Sequence, residues 1–355
     1  MKHVELFAGI GGFRQALNLL ENDFLLEQET IAFSEIDECA IKTYKSVFET
    51  SNEIEIGDIV TFCENEQSIN QLPCFELLTG GFPCQSFSMM GKQKGFEDMR
   101  GNVFFQILEI LKVKHPKYVL LENVRNLISH DKGKTFDYII KSIKKCGYPY
   151  VYYDIFNTQD FGLAQKRNRV FIFATTEEIK DFSFDHEKIK KVFSTIENDT
   201  SLLKQKSTHE VLEKHVDEKY YLSNTIKPTI LSDGTKKYRS KSEINPLIAK
   251  PLTATMVKMH RACQDNYFSD GYIYSKEPNE YVKTVFQKEE LYKQHIRKIT
   301  PKEAFLLQGF DSNFFDKVEQ TDNSNTQLYK QAGNAVSVNT VYAIMYYLFC
   351  YKRLR

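Results

Sequence analysis

The sequence predicts an α/β fold: a mostly parallel sheet with helices on both faces, joined to a small irregular domain. Two observations carry this. Over the first 175 residues, short apolar runs of strand length alternate with longer amphipathic runs of helical period. Strand and helix taken in turn build a parallel sheet that is covered on both sides. From about 180 to 295 the pattern decays into polar, Lys-, Ser- and Asn-rich sequence, and regular patterning returns only near residue 300.

Taken in order, the strand candidates are 4–7, 31–34, 75–78, 118–121, 151–156 and 170–174. Helix candidates 13–20, 103–113 and 136–145 lie between them, and 300–307 and 338–349 follow the irregular stretch. The expected organisation is a first domain over 1–180, an inserted domain over 181–295, and a return segment over 296–355 that completes the first. A strand that runs into a glycine turn opens its carboxyl end to a ligand, and two stretches fit: FAGIGG at 7–12 and GGFPCQSFS at 80–88.

Composition narrows the setting. A hydrophobic share of 42% over 355 residues is that of a globular chain. No apolar run approaches the roughly 20 residues that span a bilayer, and the amino terminus does not read as a signal peptide. Seven cysteines without a CxxC pair, an odd number, argue against a disulfide framework and for a reducing, cytoplasmic setting. Eight histidines without zinc spacing give no reason to expect a metal. The net charge of zero hides a polarity. Residues 49–91 hold seven acidic side chains and no Lys or Arg, whereas 227–261 hold eight basic against two acidic. A local basic patch of that kind is what phosphate contacts need.

The motifs carry the chemistry. Cys84 follows Pro83, whose ring fixes its own torsion and restricts its neighbour, so the thiol direction is partly preset. The polar, glycine-flanked run after it suits a loop and favours a nucleophile over a core cysteine. In FAGIGG the glycines let a ligand approach the backbone closely. Glu35, at the end of the next strand, suits ribose hydroxyls, and Asp58, at the end of a third strand candidate, suits an amino group. The spacing departs from the dinucleotide pattern, which disfavours a dehydrogenase. Together these residues describe a site for a nucleoside with an amino-acid tail, the shape of S-adenosylmethionine.

Seven motifs in fixed order, ELFAGIGG, GGFPCQSFS, GKQKGFEDMRGNVFF, LLENV, QKRNRVFIF, ITPKEAFLLQGF and QAGNAVSVN, span residues 5 to 339. In this series the chain resembles the DNA cytosine-5 methyltransferases, especially short bacterial modification enzymes of the HhaI type. The resemblance implies an S-adenosylmethionine-dependent, Rossmann-like catalytic domain, with the variable target-recognition domain over 181–295. It implies that Cys84 adds to carbon 6 of a flipped cytosine, that Glu122 holds ring nitrogen 3, that Arg169 contacts the base carbonyl, and that Arg167 positions Cys84 and the ring. Covalent activation of a poor electrophile needs both a thiolate and an acid, and nearby arginines favour the thiolate. The cofactor would meet Phe7, Gly9, Gly12, Glu35, Ile36, Asp58, Ile59, Pro83 and, from the last segment, Asn334. The loop that closes on the base contributes Gln85, Ser88 and Arg100 to DNA contact, and the recognition domain contributes Arg239, Lys241, Thr253, Lys258 and Arg261. Pro251 stands where the family often has threonine, and Ile36 where some relatives carry an aromatic. Double-stranded DNA is the expected partner, with a cognate restriction endonuclease possible in the same bacterial system, no membrane, and a monomeric enzyme. The alternatives are a tRNA cytosine-5 methyltransferase, whose usual Cys-Phe-Thr signature is absent, and an inactive DNA-binding homologue.

Overall fold

A computed structural model of the chain describes residues 1–83, 103–235, 238–258 and 261–354. Backbone proximity divides it into two compact units. The first comprises Met1–Asn157, Asn168–Leu202 and Thr340–Arg355, and the second Thr158–Arg167 and Leu203–Asn339. These cuts fall elsewhere than at 180 and 295: residues 181–202 go with the first unit, while 296–339 go with the second.

The first unit is built on a seven-stranded sheet in the order β3-β2-β1-β4-β5-β7-β6. The strands are β1 (Lys2–Leu6), β2 (Glu29–Phe33), β3 (Ile54–Glu55), β4 (Leu77–Gly81), β5 (Tyr118–Val124), β6 (Tyr150–Asn157) and β7 (Asn168–Thr175). The first five pair in parallel, and β7 runs antiparallel between β5 and β6. Val4, Glu5 and Leu6 are each 0% exposed. Successive strand residues face opposite sides, so both faces of β1 are covered. Helix α1 (Gly12–Phe24) buries Phe13, Ala16, Leu17 and Leu20, an i, i+3, i+4, i+7 stripe. Helix α2 (Glu38–Val47) starts at Asp37, whose carboxylate accepts from the N–H groups of Cys39 and Ala40.

The six strand candidates all appear, with ends shifted by a few residues. The third-strand reading needs correction. β3 is two residues long and stops at Glu55, and Asp58 instead caps helix α3 (Ile59–Glu64), its carboxylate accepting from the Val60 N–H. The last helix is α-helical over Val338–Met345 and widens into a π turn over Tyr346–Tyr351.

Regular elements are sparse in the second unit. Among the described residues it holds two strand pairs, Gly234–Thr235 with Tyr238–Arg239 and Tyr267–Ser269 with Ile296–Lys298. The helices Pro301–Leu306, Ser312–Glu319 and Asn325–Asn334 follow. Thr300 and Glu303 close a capping box at the first of these. Glu303 also takes both terminal nitrogens of Arg297, at 2.9 and 2.6 Å, in a pair whose side chains are 0% exposed. Among the described residues no helix is long and apolar enough to cross a membrane.

Candidate active site and recognition residues

Ligands of open α/β sheets bind outside the carboxyl ends of the strands, where the strand order reverses. Here that point lies between β1, which precedes the FAGIGG turn, and β4, whose last residues are Gly80 and Gly81. The turn after β1 is built from left-handed residues: Phe7 (φ 53°), Gly9 (φ 55°) and Gly11 (φ 82°). A Cβ on Gly11 would lie 2.3 Å from the Phe48 ring, whereas one on Gly9 would meet nothing within 4 Å. Gly11 is therefore glycine for packing, and Gly9 leaves open space beside the backbone. Glu35 fastens the turn. One carboxylate oxygen accepts from the Gly9 N–H at 2.8 Å, and the other from the N–H groups of Ile36 and Asp37 at 2.8 and 2.9 Å. Asp58 is exposed, and only one of its oxygens is engaged by the Val60 N–H. Ile36 is 72% exposed, whereas Ile59 is 2% exposed and belongs to the core of the unit.

At the end of β5, Glu122 faces Arg169 of β7. Register opposes Val124 to Arg169, so Glu122 is its diagonal neighbour on the same face. The Arg169 Nε lies 2.9 Å from a Glu122 oxygen, with side-chain exposures of only 19% and 12%. Gly81 pairs with Glu122 across β4 and β5, and a Cβ there would lie 3.3 Å from the other Glu122 oxygen, so glycine gives the carboxylate room. Asn123, 3% exposed, donates from Nδ2 to the Phe82 carbonyl at 2.7 Å and accepts from the Val124 N–H at 2.8 Å. It thereby pins the chain as it leaves β4 toward Pro83.

In the second unit, Gln165 and Arg167 gather distant segments. Arg167, 2% exposed, donates to the carbonyls of Leu252, Gly333 and Ala335 at 2.7, 3.1 and 2.9 Å. Gln165 donates to the Leu307 carbonyl and accepts from the Leu252 N–H. Gly333 lies so close to Thr253 that a Cβ would sit 2.2 Å from its carbonyl carbon. Arg239, Lys241, Thr253 and Lys258 are exposed and Arg261 is half-buried. Arg239 and Lys241 line an open groove of about 600 Å³ with Lys288, and Lys241 pairs with Glu243 at 2.7 Å. The basic stretch is weaker than its composition suggests. Lys227 is buried and donates to the carbonyls of Tyr292 and Gln294, and Lys250 donates to those of Glu243, Ala262 and Asp265. Both ammonium groups serve the interior.

The family model for C-5 cytosine-specific DNA methylases matches residues 1–350. The chain belongs to that family. It is 37% identical to the type II methyltransferase M1.ScrFI of Lactococcus lactis subsp. cremoris, over 97% of this chain and 76% of that protein. It is 35% identical to M.HpaII of Haemophilus parainfluenzae, over 96% and 87%. Among solved structures it resembles the Entamoeba histolytica methyltransferase EhMeth (TM-score 0.73, 21% identity, 99% and 98% covered). It also resembles S. pombe Dnmt2 (TM-score 0.71, 17% identity, both chains fully covered). At those identities the likeness shows the shared fold.

Of the four residues expected to carry the methylase chemistry, the structure brings Glu122 and Arg169 into contact, and Arg167 binds backbone carbonyls. Cys84, Gln85, Ser88 and Arg100 lie outside the described residues. Pro83 is exposed at the edge of the described chain, Gly12 opens α1, and Asn334 is exposed at the end of its helix. Asn123 and Gln165 were missed in the sequence, although both sit inside motifs already singled out, LLENV and QKRNR. An uncharged polar residue next to a candidate catalytic one was the available signal.

Proposed function

We propose that this DNA cytosine-5 methyltransferase is the modification enzyme of a type II restriction–modification system. Its substrate is then a cytosine within a short duplex sequence, turned out of the helix and held through a bond to Cys84. The type II names of its relatives support the system. The observation that carries the chemistry is the Glu122–Arg169 pair at the carboxyl end of β5, beside an Asn123 bond that fixes the chain entering the Cys84 segment.

The residues fit S-adenosylmethionine. Gly9 leaves space where a Cβ would stand, Glu35 presents a carboxylate preset by three backbone N–H groups, and Asp58 keeps an oxygen free for an ammonium group. S-adenosylmethionine supplies the methyl group when bound. The Cys84 thiolate adds to carbon 6 of the cytosine, which makes carbon 5 nucleophilic. Once carbon 5 has been methylated it loses its proton to a base, and the thiolate leaves as the ring double bond returns. Glu122 holds ring nitrogen 3, and Arg169 orients that carboxylate while its guanidinium faces the base carbonyl. A duplex stack hides carbon 5, so the base must leave it. The enzyme is proposed to act as a monomer, with a cognate endonuclease that it need not touch.

The test is label transfer from tritiated S-adenosylmethionine to unmethylated duplex DNA, with bisulfite sequencing of the product. Label at one cytosine of a short motif, lost in Cys84→Ser, supports the reading. A duplex carrying 5-fluorocytosine at that position should trap wild type covalently and leave Cys84→Ser free. Transfer to tRNA in place of DNA would overturn the substrate assignment.

A further inference from the structure

We propose that Lys219, Lys258 and Lys298 form a seat for one backbone phosphate of duplex DNA in the second unit, a proposal that rests on the DNA-methylating reading above. These lysines line a cavity of about 240 Å³ with Tyr220, Asn325 and Thr326. The Lys219 and Lys298 ammonium groups share one aromatic ring, lying 5.3 and 6.0 Å from the Tyr220 centroid. Lys298 is half-buried, and among the described residues neither its ammonium nor that of Lys258 meets a carboxylate or donates a hydrogen bond. Asp217 lies 3.4 Å from Lys219, with both side chains more than half exposed, so it offsets little.

A cation taken part-way out of water beside a second cation is unfavourable unless an anion joins them. Burial and the Lys219 charge together lower the proton affinity of Lys298, the direction expected of a group whose counter-charge is still to come. Asn325 and Thr326 open the ten-residue helix Asn325–Asn334, whose dipole adds positive potential at the same place. The cavity admits a phosphodiester and part of its sugar. Asn325 already donates to the Tyr220 hydroxyl at 3.0 Å, which leaves the Lys258 and Lys298 ammonium groups as the donors that face a phosphate. Contacts of that kind position a duplex without reading its sequence.

The test compares binding of a cognate and a scrambled duplex oligonucleotide over a salt series, for wild type, Lys298→Gln, Lys298→Arg, Lys258→Gln and Lys283→Gln. Lys283 pairs with Glu280 elsewhere on the unit and controls for loss of charge. Lys298→Gln and Lys258→Gln should raise Kd for both duplexes by the same factor. Each should flatten the slope of log K against log salt by about 0.9. Lys298→Arg should restore the slope, and Lys283→Gln should leave it as in wild type. Thermal melting of each variant separates unfolding from lost contact. A wild-type slope in a folded Lys298→Gln overturns the seat, and so does a loss confined to the cognate duplex, which would mark base reading. If wild type methylates duplex DNA, such a result sinks only this inference. If wild type neither binds nor methylates duplex DNA, the reading it rests on fails first.

Discussion

Replacing Glu5 with Gln should change how stability depends on pH, by an amount that can be worked from β1. Glu5 is fully buried. One oxygen accepts from the Tyr44 hydroxyl at 3.1 Å, and burial raises its carboxyl from the ordinary 4.5 to about 7, against the opposing pull of Arg14. Because the folded value lies above the unfolded one, the group costs nothing below pH 4.5, where both states are protonated. Its cost grows as pH rises to 7 and is then constant at about 3 kcal/mol, at 1.36 per pH unit. His3, two residues earlier, is buried between Thr30 and Thr79, and burial lowers it from 6.5 to about 3. It stays neutral in the fold, so below pH 6.5 the unfolded chain gains by taking a proton. Between pH 4.5 and 6.5 the two slopes oppose each other and nearly cancel in wild type. Glu5→Gln removes one of them, whatever constant offset the amide introduces. The stability of the variant relative to wild type should therefore rise by about 3 kcal/mol between pH 4.5 and 8. Urea unfolding of both proteins at pH 4.5, 6 and 8 measures it. A difference that does not move with pH would refute the reasoning, because Glu5 would then ionise alike in the folded and unfolded chains.

Three further outcomes are expected. Asn123→Ala leaves the Phe82 carbonyl and the Val124 N–H without their partner. It should cost about 1–3 kcal/mol in urea unfolding and slow single-turnover methyl transfer more than it weakens DNA binding. Arg167→Lys replaces a planar fork whose two ends hold three carbonyls with a single, nearer ammonium nitrogen and should destabilise by on the order of 3 kcal/mol, read as an earlier thermal transition. Gly333→Ala drives a Cβ into the Thr253 backbone, which no side-chain rotation relieves. It should cost about 2 kcal/mol or more, with the loss seen in the melting curve even in the absence of DNA.

The sheet was legible because β1, β2, β4, β5 and β7 are largely buried on both faces and therefore read as near-continuous apolar runs between amphipathic helices. The end of β3 was misplaced at Asp58 for the opposite reason: Ile54 and Glu55 are both exposed, and a pair of residues carries no period. The glycine turn was legible as a turn, but the sequence does not distinguish Gly11, fixed by the Phe48 ring, from Gly9, which faces open space. Charge was the poorest guide. Lys227 and Lys250 count toward a basic stretch in any linear reading, yet each is spent on backbone carbonyls that only the folded chain brings near. Arg167 and Arg169 stand two residues apart in one motif and differ completely in what they hold, a set of carbonyls against a carboxylate.

That difference bears on what a signature motif records. The carbonyls of Leu252, Gly333 and Ala335 are taken by the Arg167 guanidinium and that of Leu307 by the Gln165 amide, and buried carbonyls cannot be left unpaired cheaply. Among the described residues of the second unit the regular ladders are two or three residues long, so side chains take over part of their task. Gln165 supplies an amide that both donates and accepts, and Arg167 supplies a planar fork of donors that three carbonyls can share. Lysine would offer one nitrogen in place of the two ends of that fork, and neither residue can be apolar without removing the partners of backbone groups up to 168 positions away. The QKRNR run therefore needs its residue types on two separate grounds: Gln165 and Arg167 hold a loop-rich unit together, while Arg169 orders the Glu122 carboxylate at the carboxyl end of the sheet.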